Sequence, residues 1–136
     1  TLDRLVDDVV AMMNADATLD EIVHTVRVAP DVLAKPFMRP LYDEPEFVVH
    51  NVWRQFGGWW DGAPSRLKPA PDAVLAATLA ELAGGPAALI ARAVVAAEAG
   101  DFRLAGHLAD YAGWAAPDDP ASGLRCTLPG GPRSRR

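Results

Sequence analysis

Apolar residues recur every three or four positions along most of the chain, and this spacing predicts amphipathic helices. The first helix covers residues 1–14. Its apolar positions are Leu2, Leu5, Val6, Val9, Val10 and Met13. The second begins after Thr18, because Thr18-Leu-Asp-Glu21 fits a capping box, in which the Thr18 hydroxyl and the Glu21 carboxylate each accept a backbone N–H. It runs to about Arg27. Its inward positions are Leu19, Ile22, Val23 and Val26.

Prolines interrupt the pattern after the second helix. A short helical turn fits residues 31–34, and residues 35–41 are expected to be extended because residues before proline avoid the helical region. Asp43 or Glu44 then caps a helix that starts at Pro45 and stops at Gly57-Gly58. Its apolar side is formed by Val48, Val49, Val52, Trp53 and Phe56.

The rest of the chain alternates turns with alanine-rich helices. Residues 59–64 read as an aromatic turn and residues 65–70 as a loop. Helices follow from Pro71 to Gly84, from Pro86 to Gly100, and from the cap Asp101 to about Ala116. No segment alternates as a strand would, so we predict an all-α fold of five to six helices.

The last two helices resemble one tetratricopeptide-like helical hairpin. Small residues would let them approach closely. These are Ala93, Ala97, Ala105 and Ala109. One hairpin cannot bury both of its faces, so it needs the preceding helices or another chain. We expect Trp114 to lie in the core, residues 1–120 to form one domain, and residues 121–136 to be a disordered tail rich in Pro, Gly and Arg.

Composition and charge narrow the possible functions. Half of the residues are hydrophobic, which is typical of a folded domain. The net charge is −5, and residues 1–120 hold 18 acids and nine bases, so nucleic acid is not an expected partner. No apolar run is long enough to cross a bilayer. The chain starts at Thr1 without methionine, and we expect it to be part of a longer protein.

Catalytic patterns are weak throughout. His24, His50 and His107 are far apart and match no zinc spacing, although Glu46 and His50 could share a metal across one helical turn. Ser65, Ser122 and the single Cys126 lack the context of an activated nucleophile. The acids Asp43, Glu44 and Glu46 are ordinary for a helix start. We therefore expect no catalytic residue, no metal site and no cofactor within this chain.

The strongest local signal is aromatic. Trp59 and Trp60 stand beside glycines and could form the wall of a ligand site. Aromatic side chains are also enriched where helices join and where subunits meet. We favour packing or an interface because no converging polar groups are evident.

Several sequence blocks follow one another along the chain: Tyr42-Asp-Glu-Pro-Glu-Phe47, Asn51-Val-Trp-Arg54, Gly57-Gly-Trp-Trp-Asp-Gly62 with Pro64, Leu67-Lys-Pro-Ala-Pro71, Ala99-Gly-Asp-Phe-Arg103 and Ala116-Pro-Asp118. In this order, over residues 1–120, they resemble the helical domain of alkyl sulfatases. In that family a metallo-β-lactamase-like domain with an H-x-H-x-D-H motif and two zinc ions precedes an all-α dimerisation domain. A sterol-carrier-like domain often follows.

The resemblance implies that this chain is a dimerisation domain, that it forms a homodimer, and that zinc belongs to a catalytic domain outside it. It further implies candidate residues at the dimer interface or over the catalytic cleft. These are Glu46, Trp53, Arg54, Phe56, Trp59 and Trp60. The chain departs from the family at Phe56, where tyrosine is frequent, and at Ala63, where asparagine is usual.

Two other hypotheses stay open at this point. The chain could be a stand-alone interaction module that holds a peptide or protein with its helical hairpin. It could instead be a small enzyme that uses Glu46, His50 and a bound metal.

Overall fold

The computed structural model describes residues 2–38 and 44–118, and within these ranges every regular element is helical. Seven α-helices and one short 3-10 turn follow one another. They are α1 (Leu2–Asn14), α2 (Leu19–Thr25), α3 (Pro30–Leu33), α4 (Pro45–Gly57), the 3-10 turn (Pro64–Arg66), α5 (Asp72–Ala83), α6 (Pro86–Glu98) and α7 (Phe102–Ala115). The all-α prediction is confirmed.

The chain forms two compact units, Thr1–Pro69 and Ala70–Arg136. In the first unit, α1 and α2 pack on α4 around branched aliphatic side chains. The buried members are Leu5, Val9, Ile22, Val23, Val26, Val49 and Val52. Every residue of this core was predicted at an inward position of α1, α2 or α4. Two other predicted apolar positions, Leu2 and Phe56, are exposed instead.

Helix ends in the first unit follow the expected chemistry. The Thr18 hydroxyl accepts from Glu21 N at 3.3 Å, and Thr18 N donates to Glu21 Oε2 at 2.7 Å, so the capping box is confirmed. Glu44 is the N-cap residue of α4, although its side chain makes no capping bond. The alternative cap, Asp43, lies outside the described residues.

The second unit packs α7 against both α6 and α5 around small side chains. Its buried residues are Ala76, Ala80, Leu89, Ala93, Ala96, Ala105 and Ala112. The alanines predicted at the contact of α6 with α7 are buried or half-buried. Because α5 shares this core, the unit has three helices, and the tetratricopeptide-like character of the α6–α7 pair stays a prediction.

Three local predictions are wrong. Residues 35–38 form a turn instead of an extended segment, because Met38 N donates to Lys35 O at 2.9 Å across Pro36. Pro64 was expected in the aromatic turn and Ser65 and Arg66 in a loop, whereas residues 64–66 form the 3-10 turn. Trp114 is 38 % exposed rather than core, and its ring meets Tyr111 edge-on at a centroid distance of 5.7 Å. The remainder of the segment at 39–41 and the predicted tail at 121–136 fall outside the described residues.

No single helix in the described ranges is long and apolar enough to cross a membrane. The α5–α6 pair meets that requirement only when its helices are taken together, and they are bent by 84° at the break between them.

Candidate functional site

The most distinctive surface of the first unit is the turn formed by residues 58–63, which directly follows α4 and which we call the aromatic turn. Two indole donors organise it. Trp53 Nε1 donates to the Trp60 carbonyl oxygen at 3.0 Å, and Trp60 Nε1 donates to the Ala63 carbonyl oxygen at 3.1 Å. Each tryptophan thereby fixes backbone that lies after it in the chain, so the turn is held to the end of α4 by side-chain hydrogen bonds.

Glycines allow this geometry. A Cβ atom at Gly57 would lie 2.9 Å from Met13 Cε and 3.4 Å from a ring carbon of Trp53, so the close approach of these side chains favours glycine there. Gly62 has φ = +93°, a conformation that side chains other than glycine rarely adopt. Backbone conformation therefore favours glycine at Gly62, whereas at Gly57 a larger residue would require the end of the Met13 side chain to move.

An ion pair between Asp61 and Arg66 links the aromatic turn to the 3-10 turn that follows it. Asp61 Oδ1 accepts from Ala63 N at 3.0 Å, and Asp61 Oδ2 accepts from the Arg66 guanidinium. The hydrogen bond from Arg66, followed by that from the Ala63 amide, holds the pKa of Asp61 below its ordinary value. Both oxygens of the Asp61 carboxylate thus accept hydrogen bonds from nearby residues, and the carboxylate stabilises the turn.

The ion pair between Asp61 and Arg66 was not predicted from the sequence. One signal was available, since an aspartate often accepts from the backbone amide two residues later in a turn. No sequence pattern indicated Arg66 as the partner, because its position depends on the 3-10 turn Pro64–Arg66 to which it belongs.

The six candidate residues of this region have different environments. Trp53 is half-buried against the core of the first unit, whereas Phe56 and Trp59 are 61 % and 71 % exposed and Trp60 is 41 % exposed. Glu46 and Arg54 lie eight residues apart on α4, so about 12 Å of helix separates them. The structure links Trp53 to Trp60 by a hydrogen bond and leaves the two charged residues at opposite ends of α4.

The alternative metal site at Glu46 and His50 gains no third ligand. Among residues 2–38 and 44–118, no three His, Cys, Asp or Glu side chains come close enough to hold a metal ion. His50 is exposed, and so are His24 and His107. Ser122 and Cys126 lie outside the described residues.

A cavity of about 330 Å³ also opens in the first unit, between α1 and the segment that follows α2. Its polar lining is engaged internally. Arg27 donates to the Val23 and Val26 carbonyl oxygens at 2.6 and 2.9 Å, and Arg4 lies 3.8 Å from Asp8. Arg27 therefore serves the end of α2, and nothing in the lining identifies a ligand.

Comparisons with known proteins agree on one family. The model of the family described as alkyl sulfatase dimerisation matches residues 18–124. A linear primary-alkylsulfatase from a Pseudomonas species is 33 % identical over 107 residues, which is 78 % of this chain and 20 % of the relative. The alkyl/aryl-sulfatase BDS1 of Saccharomyces cerevisiae is 26 % identical over 113 residues, covering 83 % of this chain and 18 % of the relative.

A solved structure gives the same result. A double mutant of the sec-alkyl sulfatase PisA1 superimposes with a TM-score of 0.76 at 28 % identity, over 87 % of this chain and 19 % of that chain. This chain spans about a fifth of the length of the curated relatives it matches. Since the family match includes α2 through α7, the chain belongs to the alkyl sulfatase dimerisation family.

Proposed function

We propose that this chain is the dimerisation part of a longer hydrolase that cleaves alkyl sulfate esters, and that it associates as a homodimer. The observation that carries the proposal is the family match over residues 18–124, which includes six of the seven helices of the structure. The relatives are named as alkylsulfatases, and each is about five times as long as the matched part. The hydrolytic reaction is therefore assigned to the part of the parent protein outside this chain.

Zinc, the metal that the resemblance implies, is assigned to the same outside part. A catalytic zinc ion takes three protein ligands, usually His, Asp, Glu or Cys. The described residues assemble no such set, and the carboxylate of Asp61 is already bonded to Arg66. We therefore propose that the zinc ligands of the parent protein lie outside this chain.

The homodimer is tested by sedimentation velocity on the 136-residue chain at several micromolar concentrations. We expect a species of twice the chain mass that dissociates on dilution. Purified chain with added zinc should release no sulfate from dodecyl sulfate, whereas the parent protein should release it. A chain that stays monomeric at all these concentrations, or that releases sulfate unaided, contradicts the proposal.

The exposed rings of Phe56, Trp59 and Trp60 are proposed as a contact of this domain, either within the dimer or over the catalytic cleft of the parent. Arg54, exposed on the last turn of α4, and Glu46, on its first turn, are the polar residues for the cleft role. An Arg54→Ala parent protein with reduced activity and an intact dimer supports the cleft. A Trp59→Ala chain with a weakened dimer supports the interface.

A further inference from the structure

The aromatic turn exposes a large ring on backbone that is fixed on both sides. Trp59 is the most exposed of its aromatic residues. The residue before it, Gly58, is the C-cap of α4 and has φ = +83°. The residue after it, Trp60, accepts the indole N–H of Trp53 at its carbonyl oxygen. Trp59 therefore lies between two residues whose backbone is tied to the end of α4.

The hydrogen bonds of the aromatic turn form one connected chain that ends at an ion pair. The Trp60 indole donates to the Ala63 carbonyl oxygen, and the Ala63 amide donates to Asp61 Oδ1. Asp61 Oδ2 accepts from the Arg66 guanidinium. Ala63 is thus held through both its amide and its carbonyl group, so the position of the acceptor for Trp60 depends on Asp61.

The environment of the Asp61 carboxylate suits it to order this segment. Its side chain is 16 % exposed, whereas that of its partner Arg66 is 67 % exposed. Hydrogen bonds to an ionised carboxylate are stronger than those between neutral groups. The turn therefore depends on a largely covered side chain whose two hydrogen bonds are both charge-assisted.

We propose that Asp61 and Arg66 are positioning residues that hold the aromatic turn in one conformation and present the Trp59 ring for the contact proposed above. The inference rests on that proposed contact and adds what orders the ring before its partner arrives. Ordering a loop and its side chains at the moment of association costs free energy, and a preorganised ring avoids this cost. Asp61 acts through Ala63 and Trp60, without touching the partner itself.

The first test measures the order of the turn in the 136-residue chain by NMR, from the rates at which indole N–H protons exchange with water. In wild type, the Trp53 and Trp60 indoles should exchange more slowly than the exposed Trp59 indole, because both donate to carbonyl oxygens. Asp61→Ala should speed exchange at Trp60 by at least about threefold, the lower range of what one hydrogen bond contributes. Helical circular dichroism equal to wild type shows that the variant has kept its fold.

A matched control is available in the same unit. Asp8 lies 3.8 Å from Arg4 in an exposed ion pair on α1. Asp8→Ala removes the same atoms as Asp61→Ala and should leave every indole exchange rate unchanged. A conservative variant gives a second check, because Arg66→Lys keeps the positive charge beside Asp61 and should preserve slow exchange at Trp60 better than Arg66→Ala.

The second test is a double-mutant cycle that asks whether Asp61 acts through Trp59. Asp61→Ala, Trp59→Ala and their combination are compared with wild type in two measurements. These are the dimer dissociation constant by sedimentation equilibrium and, in the parent protein, sulfate release from dodecyl sulfate. In whichever measurement Trp59→Ala is impaired, Asp61→Ala should be impaired by about threefold or more. It should cause little further loss once the Trp59 ring is absent.

The outcomes separate this inference from the proposals on which it rests. Faster indole exchange in Asp61→Ala, with no loss in the measurement that Trp59→Ala impairs, keeps the contact and overturns the positioning role. Unchanged indole exchange, or equal losses from Asp61→Ala with and without the Trp59 ring, also overturns it. If Trp59→Ala impairs neither measurement, the proposed contact and the positioning role both fail, while a dimeric wild type keeps the homodimer.

Discussion

The two units bury equal numbers of hydrophobic residues but use different side chains. Among the described residues, each unit has seven core residues; those of the first are all Leu, Ile or Val, whereas six of the seven in the second are Ala. Burying a Val, Leu or Ile side chain contributes about 1.5–3 kcal/mol, and a single methyl group contributes about 0.8 kcal/mol. The first unit therefore gains much more from its own core than the second.

Several larger apolar residues of the second unit lie outside that core, although Leu89 is buried in it and Ile90 and Leu108 pack against it. Leu82, Val94, Val95 and Phe102 are all exposed. Small residues inside allow the three helices to approach closely, and large residues outside are available to a partner. The first unit also exposes large apolar side chains, among them Phe56 and Trp59, so the contrast between the units lies in the size of their buried side chains.

The largest expected effect comes from deleting a large side chain in the core of the first unit. Ile22 is fully buried among α1, α2 and α4, so Ile22→Ala should lower the free energy of unfolding by about 2–5 kcal/mol. Leu2→Ala is the matched control, because Leu2 is exposed at the start of α1. Urea unfolding at a fixed protein concentration, followed by circular dichroism, measures both. Equal losses in the two variants would contradict the account of this core.

A moderate effect is expected from adding volume to the core of the second unit. Ala112 is fully buried beside Ala80 and Leu89, so Ala112→Leu forces the helices apart and should cost about 1–3 kcal/mol of unfolding free energy. Ala77→Leu adds the same atoms at an exposed position of α5 and should change stability by less than about 0.5 kcal/mol. If Ala112→Leu stabilised the chain, the alanine core would be loosely packed, and close helix approach would not explain it.

The positions of the helices could be predicted from the sequence, whereas the burial of their apolar sides could be predicted only in part. Periodicity and caps predicted the helices because Thr18, Asp101 and the glycines after α4 and α5 act locally. Periodicity shows which side of a helix is apolar, but it does not show what covers that side. Phe56 and Trp114 were for that reason assigned to apolar or core positions, and both are exposed.

The aromatic turn shows the same division between local and non-local information. Its glycines marked a turn in the sequence, since backbone needs are local. The bonds of Trp53 to the Trp60 carbonyl and of Arg66 to Asp61 join residues seven and five apart through irregular backbone. Helix periodicity predicts contacts between residues three or four positions apart, so it cannot predict pairs that form across irregular backbone.

The smallest effects are expected at the helix caps, and they should not differ between the units. Thr18 accepts from Glu21 N, and Asp101 Oδ1 accepts from Leu104 N at 3.1 Å. Thr18→Ala and Asp101→Ala should each cost about 1 kcal/mol, since each leaves a backbone amide at a helix start without its capping acceptor. Urea unfolding of the two variants beside wild type measures this. Similar losses would show that the contrast between the units resides in their cores and not in their helix ends.

Acid should reveal a feature of the cap in the first unit. Hydrogen bonds from the Thr18 amide and hydroxyl hold the pKa of Glu21 below its ordinary 4.5. Because the folded-state pKa is depressed, the stabilisation by Glu21 is fully present above that ordinary value and is lost as pH falls through the lower folded-state pKa. Unfolding measured from pH 7 down to pH 3 should show a stability difference between wild type and Glu21→Gln that shrinks towards the acid end. A difference that stays constant over this range would mean that the Glu21 carboxylate is not the acceptor that completes the cap.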